Sequence, residues 1–250
     1  MQKVLIEVCV DSVASAVAAE RGGAERIELC SDLFEGGITP SAGLIESVRA
    51  RISIGLHVII RPRPGDFCYS EEEFQVMRRD IQIARDLQVD GMALGILDPA
   101  GKIDVRRTRQ LVEMALPLNV TFHRAFDMTA DVLQSLNDVC ATGADRILTS
   151  GGAPDSTQGA EAIRQLVETA GDRITIMAGG GIRPPNAAAI VKRTGVREIH
   201  VGLGSHIESP MQFRNPRISM GKAQGREYDR TQVLEESVRE LKSAVSPSGP

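Results

Sequence analysis

Short apolar runs alternate along the chain with segments of helical periodicity, at an interval of roughly thirty residues. The apolar runs cover residues 4–10, 26–29, 54–60, 91–94, 118–122, 146–148, 174–177 and 198–201. Helical patterns fill the intervals, at residues 12–22, 41–51, 71–87, 105–115, 130–142, 157–170 and 186–193. Eight strands that alternate with helices predict a single α/β domain folded as a closed (β/α)8 TIM barrel, in preference to an open doubly wound sheet.

The repeating pattern stops after Ser205. Residues 206–230 are mostly polar and predict a long loop or arm. A final helix is predicted over residues 231–245, because one stripe of that segment is apolar, namely Leu234, Val238, Leu241 and Val245. The stripe fits either a last outer helix of the barrel or a contact between subunits. The chain is therefore divided into a barrel core, 1–205, and a C-terminal arm with the last helix, 206–250, within the same domain.

Composition narrows the classes of function. The net charge of −4 over 250 residues is modest and no basic stripe is present, so we expect no nucleic-acid partner. No apolar run is long enough to span a bilayer and no signal peptide precedes the first strand, which predicts a cytoplasmic protein without a membrane partner. The four cysteines are too few and too scattered for a disulfide framework.

Two glycine clusters follow the last two predicted strands. The first contains Gly180 and Gly181 and leads into a proline pair, and the second contains Gly204 and Ser205. Glycines free the backbone to turn, and prolines favour the first turn of a helix, so the N–H groups there are expected to remain open to an anion such as phosphate. The alternative is that these glycines only allow strand and helix to pack closely.

Charged residues interrupt strands that are otherwise apolar, as expected for side chains that face a ligand rather than a packed layer. Glu7 and Glu28 lie within the first two strands, His57 and Arg61 share a face of the third, and His123 follows the fifth. We expect these five side chains to meet at the C-terminal mouth of the barrel and to act as acid, base and anion-holding cation. The alternative is an ion-pair network that only fills the barrel.

Cys9 and Cys30 share strand faces with Glu7 and Glu28. If the first two strands are neighbours, the ends of the strands lie about 5 Å apart, and two thiolates at that separation suit a soft ion such as Cu(I). Cysteine is also common as a small buried apolar residue, which is the alternative for both positions.

Several long segments closely resemble the CutC family of copper homeostasis proteins. They are residues 28–41 (ELCSDLFEGGITPS), 61–70 (RPRPGDFCYS), 121–127 (TFHRAFD), 146–152 (RILTSGG), 178–182 (AGGGI) and 200–205 (HVGLGS). The resemblance runs from about residue 4 to residue 205.

The resemblance implies a cytoplasmic (β/α)8 barrel that forms a homo-oligomer, a dimer or a tetramer, and that handles copper. It also implies that Cys9 and Cys30 are copper ligands. The charged mouth and the glycine turns instead favour an isomerase-like or lyase-like enzyme that acts on a small phosphorylated or anionic metabolite. Whether the protein is an enzyme therefore stays open at the level of sequence.

Overall fold

A computed structural model describes residues 3–220 and 225–246. Eight parallel strands form a closed barrel in which each strand pairs with the next and β8 pairs with β1. The strands are β1 Leu5–Val10, β2 Arg26–Leu29, β3 Gly55–Ile59, β4 Gly91–Leu94, β5 Asn119–Phe122, β6 Arg146–Thr149, β7 Thr175–Gly179 and β8 Glu198–Val201. The predicted (β/α)8 barrel is confirmed.

Helices follow the first seven strands. They are α1 Val13–Arg21, α2 Ala42–Arg49, α3 Glu71–Asp86, α4 Val105–Ala115, α5 Val132–Cys140, α6 Ala160–Ala170 and α7 Pro184–Thr194. The N-cap side chains of Ser41, Ser70 and Asp104 accept hydrogen bonds from backbone N–H groups in the first turns of α2, α3 and α4. None of the helices in the described ranges has the length and apolar character required to cross a bilayer.

The apolar core lies between the strands and the helices. On β1, Ile6, Val8 and Val10 are fully buried and pack in this layer, while Glu7 and Cys9 alternate with them and face the opposite way. The same alternation on the other strands places most of the charged side chains in the barrel interior, together with the buried apolar residues Ile59, Leu148 and Met177.

The C-terminal segment differs from the prediction. Gly204–Ile207 (β9) and Arg230–Val233 (β10) form an antiparallel two-stranded sheet, where the sequence predicted a loop. The last helix, α8, covers Glu235–Val245 and starts four residues later than predicted, because its first predicted residues belong to β10. Leu234 is 38% exposed, whereas the rest of the predicted stripe is buried.

The buried stripe of α8 packs within its own chain. Val238, Leu241 and Val245 belong to the apolar core, and α8 contacts α1 and α7. The side chain of Val238 lies directly against Gly22, where an added Cβ would be only 2.4 Å from the valine Cβ. The stripe therefore serves as the contact of a last outer helix and is not free to contact another subunit.

Candidate functional site

A chain of ion pairs begins at the N-terminal end of the barrel interior. Arg26, the first residue of β2, donates hydrogen bonds from Nε to Glu7 and from Nη2 to Glu198 Oε2, the latter at 2.6 Å. Arg146, the first residue of β6, donates to the same Glu198 oxygen at 2.6 Å. Arg26 and Glu7 are almost completely buried, with side chains 7% and 2% exposed. A buried charge is stable only when it is paired, and here the arginines and glutamates alternate.

His200 continues this chain towards the mouth. Its Nδ1 lies 2.8 Å from Glu7 Oε1, and its Nε2 lies 3.9 Å from Glu28 Oε2. Burial alone would lower the pKa of His200, but Glu28, Cys9 and Glu7 outweigh burial and raise the pKa well above its ordinary value. Burial also opposes ionisation of Glu7, and the charges of Arg26 and His200 nevertheless hold its pKa below the usual range. The pair is therefore an imidazolium and a carboxylate at neutral pH.

Two thiols and a carboxyl group meet above His200. Cys9 Sγ lies 3.6 Å from Cys30 Sγ, and the two sulfurs lie 3.7 Å and 3.4 Å from the same oxygen of Glu28. Cys9 is at the fifth position of β1 and Cys30 immediately follows β2, so both are at the C-terminal ends of their strands. The possible ligand atoms of these three side chains lie within 4.8 Å of one another, and Glu7, Glu28 and His200 form a second group of this kind.

The protonation states of this cluster are unequal. A hydrogen bond from Cys30, opposed by burial and aided by His200, lowers the pKa of Cys9 to about 6. The same hydrogen bond and burial raise the pKa of Cys30 well above its ordinary value. Burial raises the pKa of Glu28 to about 8. At neutral pH the cluster therefore holds one thiolate, one thiol and one protonated carboxyl group.

His57 lies beside this chain in a neutral state. Burial, opposed by the charge of Glu7, lowers the pKa of His57 to about 4. Its Nδ1 is 3.7 Å from Glu7 Oε2, which is too long for a hydrogen bond. The ring occupies the space over Gly91, where an added Cβ would be 2.4 Å from His57 Nε2. His57 thus fits the interior because the facing residue on β4 has no side chain.

Contacts divide the five predicted catalytic residues into two groups. Glu7, Glu28 and His57 belong to the network around His200. Arg61 and His123 instead flank the ring of Phe67, with Arg61 Cζ 5.1 Å and the His123 ring centroid 5.0 Å from its centroid. The sequence predicted that all five side chains meet at one point. The contacts instead give two clusters, one around His200 and one around Phe67.

The glycine clusters also differ from the prediction. Gly180 and Gly181 have φ of 104° and 71°, as turns at the end of β7 require. However, Pro184 and Pro185 carry no N–H, and the N–H of Arg183 donates to the Asn186 side chain at 2.8 Å. The N-terminus of α7 therefore offers fewer open amides than expected.

The second cluster is not a turn that leads into a helix. Gly204 and Ser205 lie in β9 and pair with Val233 and Gln232 of β10. At the first cluster, the guanidinium carbon of Arg124 is 3.4 Å from the position that a Cβ on Gly180 would occupy. Support for anion binding is thus confined to the turn after β7. Anion binding by the residues of the two glycine clusters stays a prediction.

Four residues of the network were not predicted as site residues, namely Arg26, Arg146, Glu198 and His200. The signal that identified Glu7 and Glu28 applies to them as well, because Glu198 and His200 share a face of an apolar strand and the two arginines begin apolar strands. Extending that rule to every strand would have found all four.

The fold and site define a class: a (β/α)8 barrel with a charged interior that ends in a pair of thiols at the mouth. The model of the CutC family matches residues 4–205. A family protein CutC from Chromobacterium violaceum is 45% identical over 245 residues, which cover 98% of this chain and 99% of that protein. The human copper homeostasis protein cutC homolog is 46% identical over 217 residues, or 87% of this chain and 80% of that protein. The chain belongs to the CutC family.

Solved structures agree with this assignment. A CutC protein from Streptococcus agalactiae superimposes with a TM-score of 0.75 and 35% identity, over 79% of this chain and 97% of that one. Thiamine phosphate pyrophosphorylase from Pyrococcus furiosus gives a TM-score of 0.61 at 19% identity, over 98% of this chain and 96% of that one. The second likeness shows the fold alone.

Proposed function

We propose that this protein handles copper in the cytoplasm by binding Cu(I) between Cys9 and Cys30. The observation that carries the proposal is the 3.6 Å separation of the two sulfurs, with Glu28 in contact with both. Sulfurs at this separation can both contact one ion at the ~2.3 Å typical of metal–thiolate bonds. Thiolates are the ligands that select Cu(I) over harder ions.

The protonation states of the two thiols are compatible with binding of a soft metal ion. A metal ligand must lose its proton, and Cys9 has a pKa of about 6, so it is available at neutral pH. An incoming ion displaces the proton of Cys30, whose pKa is raised chiefly by its hydrogen bond to Cys9. His200 is the positive neighbour of the Cys9 thiolate, whose pKa it helps to lower.

Cys9 is also reachable from outside. It lines a cavity of about 470 Å³ between the end of β1, the loop after β2 and the C-terminal arm. Asp11 and Asp32 line the same cavity, as does Arg226 from the arm. An ion or a small thiol carrier entering from this side would meet Cys9 first.

Replacing both cysteines with serine is expected to lower Cu(I) affinity by at least about a hundredfold. Mutation of a residue that only hydrogen-bonds to a metal ligand typically lowers metal affinity by about tenfold to a hundredfold, and loss of the ligands themselves should cost more. The measurement is competition with a chromogenic Cu(I) chelator under reducing conditions, with Cys9→Ser, Cys30→Ser and the double variant. Cys68→Ser is the matched control, because Cys68 is a free cysteine in the loop after β3 and does not belong to the group of Cys9, Glu28 and Cys30. Equal Cu(I) retention by the double variant and Cys68→Ser would refute the proposal.

A second candidate is an enzyme that acts on a small phosphorylated or anionic metabolite. The observation in its favour is the unequal protonation of Glu7 and Glu28: one carboxyl group is ionised and the other, with a pKa of about 8, holds a proton at neutral pH. Such a pair can supply both base and acid. A thermal-shift screen of phosphorylated metabolites beside Cu(I) separates the candidates, because a ligand of the folded state raises its melting temperature.

We also propose that the protein is a homo-oligomer, a dimer or a tetramer. Support comes from large apolar side chains that the C-terminal arm exposes: Met211, Phe213 and Met220 are 55%, 73% and 72% exposed. Light scattering after gel filtration is expected to give two or four times the chain mass. Replacing these three residues with serine should shift the mass towards the monomer, and a wild-type monomer would contradict the proposal.

A further inference from the structure

The cluster of Arg61 and His123 lies on one row at the barrel mouth. Across β3, β4 and β5, the last row of paired residues that face inward lies two positions before Arg61, Gly95 and His123. These three residues therefore form the next inward row, one on each of three adjacent strands. Gly95 has no side chain, and an added Cβ there would be 2.8 Å from the His123 ring. The imidazole ring therefore lies over Gly95, on the side of the strand that carries Arg61.

His123 presents a buried donor with no acceptor. Its Nδ1 accepts a hydrogen bond from the N–H of Ala125 at 3.2 Å, so in the neutral ring the proton is on Nε2. Burial, followed by the charge of Arg61, lowers the pKa of His123 to about 3, which keeps the ring neutral. Nε2 is buried, and in the described part of the chain it has no hydrogen-bond partner. Buried donors are rarely left unpaired, so this one points to a missing acceptor.

Arg61 presents a buried charge without a counter-charge. The residue is 6% exposed, and its terminal nitrogens donate to the carbonyl oxygens of Glu35, Gly37 and Gly65, each at 2.8 Å. These carbonyls fix the guanidinium but do not neutralise it. Over residues 3–220 and 225–246, Nε has no partner and no carboxylate forms an ion pair with Arg61. A buried, unpaired cation is costly, and an anion would compensate it.

The ring of Phe67 contacts both Arg61 and His123. The guanidinium carbon of Arg61 lies 5.1 Å from the centroid of the Phe67 ring, and the centroid of the His123 ring lies 5.0 Å from it. The face of an aromatic ring carries partial negative charge, so it substitutes in part for an anion. A ring face is nevertheless a weaker acceptor than an oxygen atom.

We propose that Arg61 and His123 form a binding subsite for the carboxylate of a small organic acid, with Phe67 as its cover. One carboxylate carries the single negative charge that neutralises Arg61, and its oxygens accept from Arg61 Nε–H and His123 Nε2–H. A phosphate carries more charge and more acceptors than these two donors serve. Phe67 swings aside when the carboxylate binds. The subsite does not depend on copper binding, and the neighbouring thiols are not among its donors.

The test is binding of sodium acetate, pyruvate and malonate to the full chain, measured by thermal shift and by calorimetry, with sodium chloride of equal ionic strength as the blank. We expect at least one of these acids to bind to the wild type, and His123→Asn to weaken it by at least about tenfold, the loss expected for a charge-assisted hydrogen bond. The asparagine oxygen still accepts from Ala125 N–H, so the fold is retained while Nε2–H is removed. Phe67→Ala is expected to tighten binding, which a purely structural role of the cluster would not produce.

Two controls make the result specific. Arg61→Lys keeps the charge and loses Nε–H, and its matched control is Arg63→Gln, an arginine two residues away that pairs with Glu73 at 2.5 Å. Weaker binding in Arg61→Lys but not in Arg63→Gln supports the subsite. The proposal is overturned if none of the three acids binds, if inorganic phosphate binds more tightly than all of them, or if His123→Asn and Phe67→Ala leave the affinities unchanged.

Discussion

Arg26→Met is expected to destabilise the protein by about 3–5 kcal/mol, the usual cost of removing one partner from a buried ion pair. Arg26 is the only arginine that donates to both Glu7 and Glu198 within the described ranges. When Arg26 is lost, Glu198 still forms an ion pair with Arg146, but Glu7 has only His200 left as a hydrogen-bonded partner. The side chain of Glu7 is 2% exposed, so water cannot replace the lost arginine. Since a typical domain is stable by about 5–15 kcal/mol, the loss should be visible as early unfolding in urea.

A surface arginine provides the matched control for this substitution. Arg164 also bridges two glutamates, Glu161 and Glu168, but its side chain is 41% exposed. Arg164→Met is expected to change the urea midpoint little, because exposed ion pairs contribute little to stability. Equal midpoints for Arg26→Met and Arg164→Met would show that the interior network is not what holds the barrel together.

The network links stability to the proposed site. Arg26 holds Glu7, Glu7 holds Nδ1 of His200, and the other ring nitrogen of His200 faces Glu28 beneath the thiols. A barrel with an apolar interior would be simpler to stabilise. Here the interior instead places one imidazolium in register with Glu7, beneath the two thiols and beside Glu28.

The barrel was predictable because its signals are local. Each strand needs only a short apolar run and each helix a repeat of about 3.6 residues, and the caps at Ser70 and Asp104 follow from neighbouring residues. The inward position of Glu7 and Cys9 follows from alternation along a single strand. The pairing of Cys9 with Cys30 needed only the expectation that the first two strands are neighbours, which the register confirms.

Other features depend on how distant strands are staggered. Glu7 and His200 meet across the closure of the barrel, 193 residues apart, and no local pattern fixes that contact. The separation of Arg61 from Glu7 also depends on the stagger, which places the arginine in the row of Gly95. The pairing of β9 with β10 was missed because polar strands at the edge of a fold carry no alternating apolar signal.

Glu28→Gln is expected to stabilise the protein at high pH and to change little at low pH. The ordinary pKa of this carboxyl group is 4.5, and burial raises it to about 8 in the folded protein. Between these values the unfolded chain has lost the proton and the folded protein has kept it, so the stability of the wild type falls as pH rises through this window. Each pKa unit corresponds to about 1.4 kcal/mol, which sets a ceiling of roughly 5 kcal/mol above pH 8.

Glutamine has nearly the shape of the protonated carboxyl group and cannot ionise, so the variant lacks this pH-dependent loss. The melting temperatures of the variant and the wild type, measured from pH 4.5 to pH 9, should therefore diverge as pH rises. At pH 9 the melting temperature of the variant should be higher by at least about 5 °C for a protein of this size. Glu46→Gln, on the exposed face of α2, removes the same charge without burial and should show a constant difference. A constant difference for Glu28→Gln as well would mean that Glu28 is ionised at neutral pH, and Cu(I) would then enter a site with one more negative charge than proposed.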